Sequence, residues 1–422
     1  MTKVDVLLGL QWGDEGKGKV VDYLAPKYDL VARFQGGPNA GHTLEFEGIK
    51  HVLHQIPSGI FHEGILNVIG NGVVIDPITF QREIQALDKF NLDLKKNLVL
   101  SNRAQLILPT HRLLDQAYES MKGDQKIGST LRGIGPTYQD KIGRVGIRIG
   151  DVLRADFQKK YDQLKFQHLE ILDKLGFDQF EADFEKNFHE AVEVVRQFKI
   201  TNTEYLINEL ITSDKKILAE GAQGSMLDID FGSYPFVTSS NTTTAGACTG
   251  LGIAPSRIGE VFGIFKAYCT RVGSGPFPTE LTGELGEDLR KKGHEYGATT
   301  GRPRRCGWLD IPSLNYACML NGVTQLFMMK VDVLSNMDQL KVCDQYIVDG
   351  QSSVELPFYY AGDKIEPVFT SLSPWQQFEP VKFFEGLPTE LKAFVSHVES
   401  LTNTPIRLIS YGPDRKETIF HN

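Results

Sequence analysis

Asp14 stands inside Gly13-Asp14-Glu15-Gly16-Lys17-Gly18-Lys19, a stretch dense in glycine and lysine. Glycines let a backbone approach an anion, amide N–H groups at a helix start point at it, and lysines add charge, so the composition is that of a phosphate cradle. The spacing from Gly13 to Gly18-Lys19 matches G-x-x-x-x-G-K, but Val20 stands where that motif needs Ser or Thr. No hydroxyl is therefore available there to hold Mg²⁺. A carboxylate in such a loop would repel a nucleotide's phosphates unless a cation or a proton intervened, which makes Asp14 a metal ligand, a proton acceptor, or both. His42 follows in a second loop, Gln35-Gly36-Gly37-Pro38-Asn39-Ala40-Gly41-His42-Thr43, where an imidazole can serve as acid or base near neutral pH.

Further groups lie downstream. Gln223, in Gly221-Ala222-Gln223-Gly224, can pair a donor and an acceptor with the edge of a heterocyclic base, and Thr238 can bond a phosphate. Ala298-Thr299-Thr300-Gly301-Arg302-Pro303-Arg304-Arg305 gathers three guanidinium groups, whose mutual repulsion implies either a mobile loop or anionic ligands such as a small dicarboxylate. Lys330-Val331-Asp332 closes an apolar run, and a carboxylate there can accept from the ring N–H and exocyclic amine of guanine, which adenine cannot offer. Ser410-Tyr411-Gly412-Pro413 can cover the other side of a base. Between residues 123 and 150, glycines alternate with Ser129, Thr130, Arg132, Arg144 and Arg148, which suits either an anion-binding loop or a plain surface loop.

These residues need a scaffold that places loops at strand ends. Val4 to Leu10 reads as a buried strand, and Lys19 to Ala25 as a helix stopped by Pro26. Strands are expected at Leu30–Phe34, Val68–Ile75 (interrupted by a turn), Leu98–Leu100, Leu106–Leu108, Lys216–Glu220, Val261–Ala267, Leu326–Asp332 and Ile406–Ile409, with a helix over Pro77–Phe90. Residues 151–210 change character: Phe157, Tyr161, Leu164, His168, Leu172 and Leu175, then Phe184, Phe188, Ala191, Val195 and Phe198, fall at helical steps. The expectation is an α/β fold with a large, mainly parallel central sheet flanked by helices, P-loop NTPase-like, with smaller subdomains. It is read as one catalytic domain over 1–422 carrying a helical insertion at 151–210. His51, His54, His62, His111 and His168 read as structural.

With 41% apolar and 23% charged residues the 422-residue chain has an ordinary globular composition, and a net charge of -8 argues against a nucleic-acid partner. Five cysteines without a C-x-x-C pair suit reduced thiols in a cytoplasm. Val4 to Leu10 is broken by Asp5 and is no signal peptide, and no apolar run approaches membrane-spanning length.

Gln11 to Lys19, Gly36 to Thr43, Glu220 to Gly224, Thr299 to Arg305 and Lys330 to Asp332 together closely resemble the adenylosuccinate synthetase family, whose members join IMP and aspartate at the expense of GTP. The resemblance implies Asp14 as the base that takes the N1 proton of IMP and His42 as the acid that steadies departing GDP. A 6-phosphoryl-IMP would form, with Lys17 stabilising the transferring group and Gln223 also at the reacting centre. Mg²⁺ would sit on Asp14 and the carbonyl of Gly41. GTP would be held by Gly13 to Lys19 (with Glu15, Gly16 and Gly18), Gly41, His42, Thr43, Arg304, Lys330, Val331, Asp332, Ser410, Tyr411 and Gly412. IMP would be held by the Asp14 to Lys17 loop, Asn39, Ala40, Gly41, His42, Thr130, Arg144, Gln223, Thr238 and Arg302, and aspartate by Ala298, Thr299, Thr300, Gly301, Arg302, Pro303 and Arg304. Arg144 would reach the neighbouring site of a homodimer. A GTP-hydrolysing switch is the rival reading, but Asp14, Val20 and the arginine loop have no purpose in it.

Overall fold

The computed structural model describes residues 3–123, 126–177, 182–297, 301–360 and 364–421. Ten strands build the central sheet: β1 (Val4–Gly9), β2 (Leu30–Arg33), β3 (Leu66–Ile69), β4 (Leu98–Ser101), β5 (Lys199–Thr201), β6 (Ile217–Gly224), β7 (Ile258–Lys266), β8 (Gln325–Met329), β9 (Ile406–Ser410) and β10 (Thr418–Phe420). They lie in the order β10-β9-β8-β7-β1-β6-β2-β3-β4-β5, every pair parallel except β9 with β10. Parallel strands covered on both faces need continuous apolar runs, and Val4, Val6, Leu7 and Leu8 are all buried. On one face, Val20, Val21 and Leu24 of α1 (Lys17–Leu24) pack against Leu7, Val31, Leu218, Phe262 and Phe327. On the other, β1 shares a core with Ile207, Ile211, Ala247, Leu251, Leu314 and Ala317.

Parallel order sends the carboxyl end of every strand but β10 to the same edge, where ligands of such sheets bind. The segments carrying Asp14, His42 and Lys330 follow strands that end there, and Gln223 and Ser410 are in the last residues of β6 and β9 at the same edge.

Three expectations are adjusted. The helix after the glycine loop starts at Lys17 rather than Lys19. β6 continues to Gly224 instead of opening into a loop at Gly221, because small residues there let the strand run close to its neighbour: a Cβ on Gly221 would lie 3.0 Å from the carbonyl oxygen of Leu7. The 151–210 segment does supply α4 (Phe157–Lys174), α5 (Ala182–Val195) and a helix over Thr203–Thr212, yet it also contributes β5, which extends the main sheet beside β4. Three residues are too few to show a strand period. Two earlier helices, α2 (Pro109–Met121) and α3 (Ile134–Gly143), lead into that segment. A smaller, mixed sheet is built from Leu340–Val348 with Ile365–Leu372, Gln351–Ser353 and Leu309–Asp310. Among the described residues no helix is long and apolar enough to cross a membrane.

Candidate active site

Gly13, Asp14 and Gly16 take left-handed backbone angles (φ 85°, 59° and 95°), which turn the chain from β1 into α1. The turn closes around Glu15. Its fully buried carboxylate accepts from the amide of Gly13 at 2.8 Å and of Gln11 at 3.2 Å, and takes Lys17 Nζ at 2.5 Å. Room for it comes from glycines at two strand ends, since a Cβ on Gly9 or Gly224 would lie 2.2 or 2.5 Å from a Glu15 oxygen. Lys17 is thus neutralised inside the loop. Lys19 donates to Ser410 Oγ (2.7 Å) and to the carbonyls of Gly412 (2.6 Å) and Glu417 (3.0 Å), fastening α1 to the Ser410-Tyr411-Gly412 segment. Burial pushes its pKa down to about 8.

Asp14, with 31% of its side chain exposed, accepts from Arg304 Nε at 2.7 Å. The same guanidinium donates through Nη1 to buried Glu295 at 2.6 Å. Arg305 is held by Glu280 and by the carbonyl of Gly275, both at 2.8 Å, while Arg302 Nη1 reaches the carbonyl of Gly128 at 3.3 Å. The expectation that this arginine cluster needs mobility or anionic ligands is therefore corrected. Carboxylates of the chain already balance Arg304 and Arg305. Pro303 pairs with Tyr296 on the arms of a hairpin that meet again at Glu295 and Arg304, the Arg304 amide donating to the Glu295 carbonyl at 2.9 Å. Ala298, Thr299 and Thr300 lie outside the described residues.

His42 is buried beside the first turn of α1, where Gly18 permits contact: a Cβ there would come within 3.0 Å of His42 Cβ and 3.2 Å of the Thr43 carbonyl. Its Nδ1 lies 2.5 Å from Glu220 Oε1, and Glu220 is fixed in turn by Ser58 through its hydroxyl (2.7 Å) and amide (2.8 Å). Arg33, fully buried, is 3.7 Å from the same oxygen. Burial, reinforced by the Arg33 charge and opposed by Glu220, lowers the His42 pKa to about 4. With Nδ1–H given to Glu220, the neutral ring leaves Nε2 as an acceptor, and that atom is buried without a partner.

Gln223, at φ 56°, donates from Nε2 to Asn39 at 3.3 Å, and its carbonyl oxygen is buried and unpartnered. Ala40 offers its carbonyl to His54 at 2.7 Å, next to Gly41. Lys330, also left-handed (φ 62°), donates to Glu295 at 2.9 Å and to the carbonyl of Gly293 at 2.7 Å. Val331 and Asp332 follow in a tight turn, and one Asp332 oxygen is buried with no partner, so burial raises that carboxyl. Thr130 is half-buried in a loop clamped by α2: Glu119 accepts the amides of Gly128 and Ser129, and Asp115 accepts the hydroxyl of Ser129 and the amide of Gly133. Thr238 is half-buried, its amide on the carbonyl of Leu227. Arg144 stands apart at the exposed end of α3.

So the fold gathers Asp14, Arg304, Lys17, His42, Gln223 and Asn39 around the glycine loop and fastens Ser410–Gly412 to it, while Arg144 has no hydrogen bond or ion pair with any of them. Sequence reasoning gave no role to Glu295, Lys266, Arg33, Glu220 or Ser58. A signal existed for two of them: Arg33 is the one charge in Leu30–Arg33, and Lys266 closes the apolar run Val261–Phe265, placements that demand a buried partner.

His111, Asp140 and His168 present ligand atoms within 4.8 Å of one another, the spacing of a metal site. His111 Nδ1, however, accepts the Leu108 amide at 2.8 Å, which puts the ring proton on Nε2, facing Asp140 Oδ2 at 2.8 Å. His168 Nε2 lies 2.9 Å from that same oxygen. This is a hydrogen-bonded knot between α2, α3 and α4, as the structural reading of both histidines expects.

A strand, a glycine turn enclosing a carboxylate, and a helix with Val20 where a P-loop carries its hydroxyl, on a mainly parallel sheet, define a nucleotide-dependent enzyme of the α/β class. A family model described as adenylosuccinate synthetase matches residues 6–419. The adenylosuccinate synthetase of Cytophaga hutchinsonii is 59% identical over 420 residues, covering 99% of this chain and 97% of its own length. That of Flavobacterium psychrophilum is 57% identical over 419 residues, 99% of each. The structure of fully ligated adenylosuccinate synthetase from Plasmodium falciparum matches with a TM-score of 0.92 at 38% identity, covering 100% of both chains. The chain belongs to the adenylosuccinate synthetase family. Its activity is the GTP-dependent ligation of IMP and L-aspartate to adenylosuccinate, with release of GDP and phosphate, on the path from IMP to AMP.

Proposed function

We propose that the ligation runs through 6-phosphoryl-IMP and that Asp14 is its base. The observation that carries this is the 2.7 Å bond between Asp14 and Arg304, which joins the carboxylate of the phosphate loop to the loop read as the aspartate site. Asp14 takes the N1 proton of IMP, and the 6-oxygen then attacks the γ-phosphorus of GTP as GDP leaves. The aspartate amine adds at C6 and phosphate departs, a far better leaving group than the original oxygen. Lys17 and Gln223 face the reacting centre, with Gly13 to Lys19, Gly41 to Thr43, Arg304, Lys330 to Asp332 and Ser410 to Gly412 on GTP. Asn39, Ala40, Thr130, Arg144, Thr238 and Arg302 hold IMP, and Ala298 to Arg304 hold aspartate.

His42 is neutral without nucleotide and becomes an acid only when polyphosphate charge reaches Nε2 and raises its proton affinity, the Glu220 contact helping to hold the imidazolium. Asp14 and the Gly41 carbonyl are hard oxygen donors that suit Mg²⁺, which Val20 cannot bind. When bound, Mg²⁺ would offset charge on the transferring phosphoryl group. The exposed end of α3, where Ile142 (78%) and Val145 (49%) flank Arg144, suits contact with a second copy in a homodimer. We place the enzyme in the cytoplasm and treat 1–422 as one catalytic unit with 151–210 inserted. The test is Asp14→Asn, expected to lower adenylosuccinate formation by roughly 10²–10⁴-fold while GTP binding persists. An active Asn variant removes Asp14 from proton transfer.

A further inference from the structure

We infer that Glu295 is a positioning residue which couples the aspartate loop to the guanine-reading strand end. The inference rests on the reading above that Ala298–Arg304 grip aspartate and Lys330–Asp332 read the base. Glu295 is fully buried, and three separate parts of the fold meet on its carboxylate. Lys266, ending β7, donates to both oxygens at 2.9 Å, and Tyr268 donates to Oε1 at 2.5 Å. Lys330, following β8, donates to Oε1 at 2.9 Å. Arg304, on the opposite arm of the hairpin, donates to Oε2 at 2.6 Å and gives its Nε to Asp14.

A structural ion pair would need one cation. Here three cations share one buried anion, and two of them carry substrate readings: Lys330 on the guanine side, and Arg304 on both aspartate and GTP. With Glu295 ionised, Arg304 has one face fixed and the other directed at Asp14, and the Lys330 side chain is drawn back toward the hairpin. The left-handed Lys330 backbone immediately precedes the turn that presents Asp332, so anchoring the Lys330 side chain also sets that turn. Without the Glu295 charge, Arg304, Lys266 and Lys330 repel one another, and the anions left beside them are Asp14, bonded to Arg304, and Asp332, which feels Lys330.

The experiment is steady-state kinetics of Glu295→Gln, which keeps shape and removes charge, with GTP and with ITP, whose base lacks the exocyclic amine. The expected result is a roughly tenfold rise in KM for both aspartate and GTP, a size typical of coupled sites, together with a reduced preference for GTP over ITP. Tyr268→Phe leaves the charge and removes one bond, so it should move the same constants in the same direction by roughly two- to fivefold; this variant decides the matter if the Gln variant does not fold. Unchanged KM for either substrate, or an intact GTP preference, overturns the coupling. Asp332→Asn in the same assay separates the two levels: if it loses the GTP preference while the Glu295 and Tyr268 variants keep theirs, only the inference about Glu295 fails. If Asp332→Asn also keeps it, the reading of the base site fails.

Discussion

Replacing Asp332 with Asn should cost this enzyme most of its use of GTP without weakening the fold. In the structure one Asp332 oxygen is buried and unpartnered, and burial raises the carboxyl. That is the signature of an acceptor waiting for donors. Guanine supplies two, the ring N–H and the exocyclic amine, and a hydrogen bond to a charged group contributes about 1.5–3 kcal/mol. Taking the lower figure twice gives ~3 kcal/mol, a loss on the order of 10²-fold in kcat/KM for GTP. Asn also turns an amide N–H toward those donors. Xanthine, with an oxygen in place of the amine, can accept from that N–H, so XTP should become the better substrate of the variant. Because a costly buried carboxylate is removed, the melting temperature should hold or rise. The assay is the initial rate of adenylosuccinate formation with GTP or XTP at saturating IMP and aspartate, alongside thermal unfolding. A kcat/KM for GTP within threefold of the parent would refute the base-reading assignment, and a collapsed melting temperature would show that Asp332 serves the fold.

Two further outcomes follow from buried titrating groups. Asp310 caps the helix Ile311–Asn321, accepts from Tyr346 at 2.6 Å, and is raised by burial to about 6 from 3.8. The folded chain then holds a proton that the unfolded one releases, so this group's penalty appears as pH rises from about 4 through 6; Asp310→Asn should gain on the order of 2–3 kcal/mol at pH 8 and little at pH 4. Urea unfolding at the two pH values checks it, and an equal change at both would contradict the burial argument. His42 should stay neutral down to near pH 4 in the free protein and take up a proton at higher pH once a guanine nucleotide binds. Imidazole NMR of the labelled chain reads this directly, and a free-state pKa near 6.5 would mean that the ring is not desolvated.

Local sequence carried much of the frame. A run of Val and Leu over Val4–Gly9, interrupted only by Asp5 and followed by glycines, has few solutions other than a central strand and a turn into a helix, and that is where Asp14 is found. Lys330-Val331-Asp332 reads as the close of the strand itself, but the strand stops at Met329, because the left-handed Lys330 turns the chain into a short 3-10 turn that carries Asp332 just beyond the strand end. What local sequence could not carry is pairing across distance. Glu295 and Lys266 are 29 positions apart, and nothing near either residue announces the other. Lys19 reads as a phosphate ligand from its neighbours but reaches Ser410, 391 residues away. The guanidinium cluster looked unbalanced because Glu280 and Glu295 lie on other turns of the chain. β5 escaped notice because a three-residue strand is specified by the sheet it joins rather than by its own pattern.

Glu15 has a consequence for anyone redesigning the nucleotide site. Its side chain plugs the hollow of amides that a hydroxyl-bearing P-loop would keep open for a diphosphate, so this loop is already wrapped around an anion of its own before substrate arrives. Installing the missing hydroxyl at Val20 would leave that plug in place, and the side chain there points into the core. Conversion to ordinary P-loop chemistry would require evicting Glu15, releasing Lys17, and filling the gap beneath Gly9 and Gly224 in a single step, which isolates this loop from its look-alikes by several simultaneous changes.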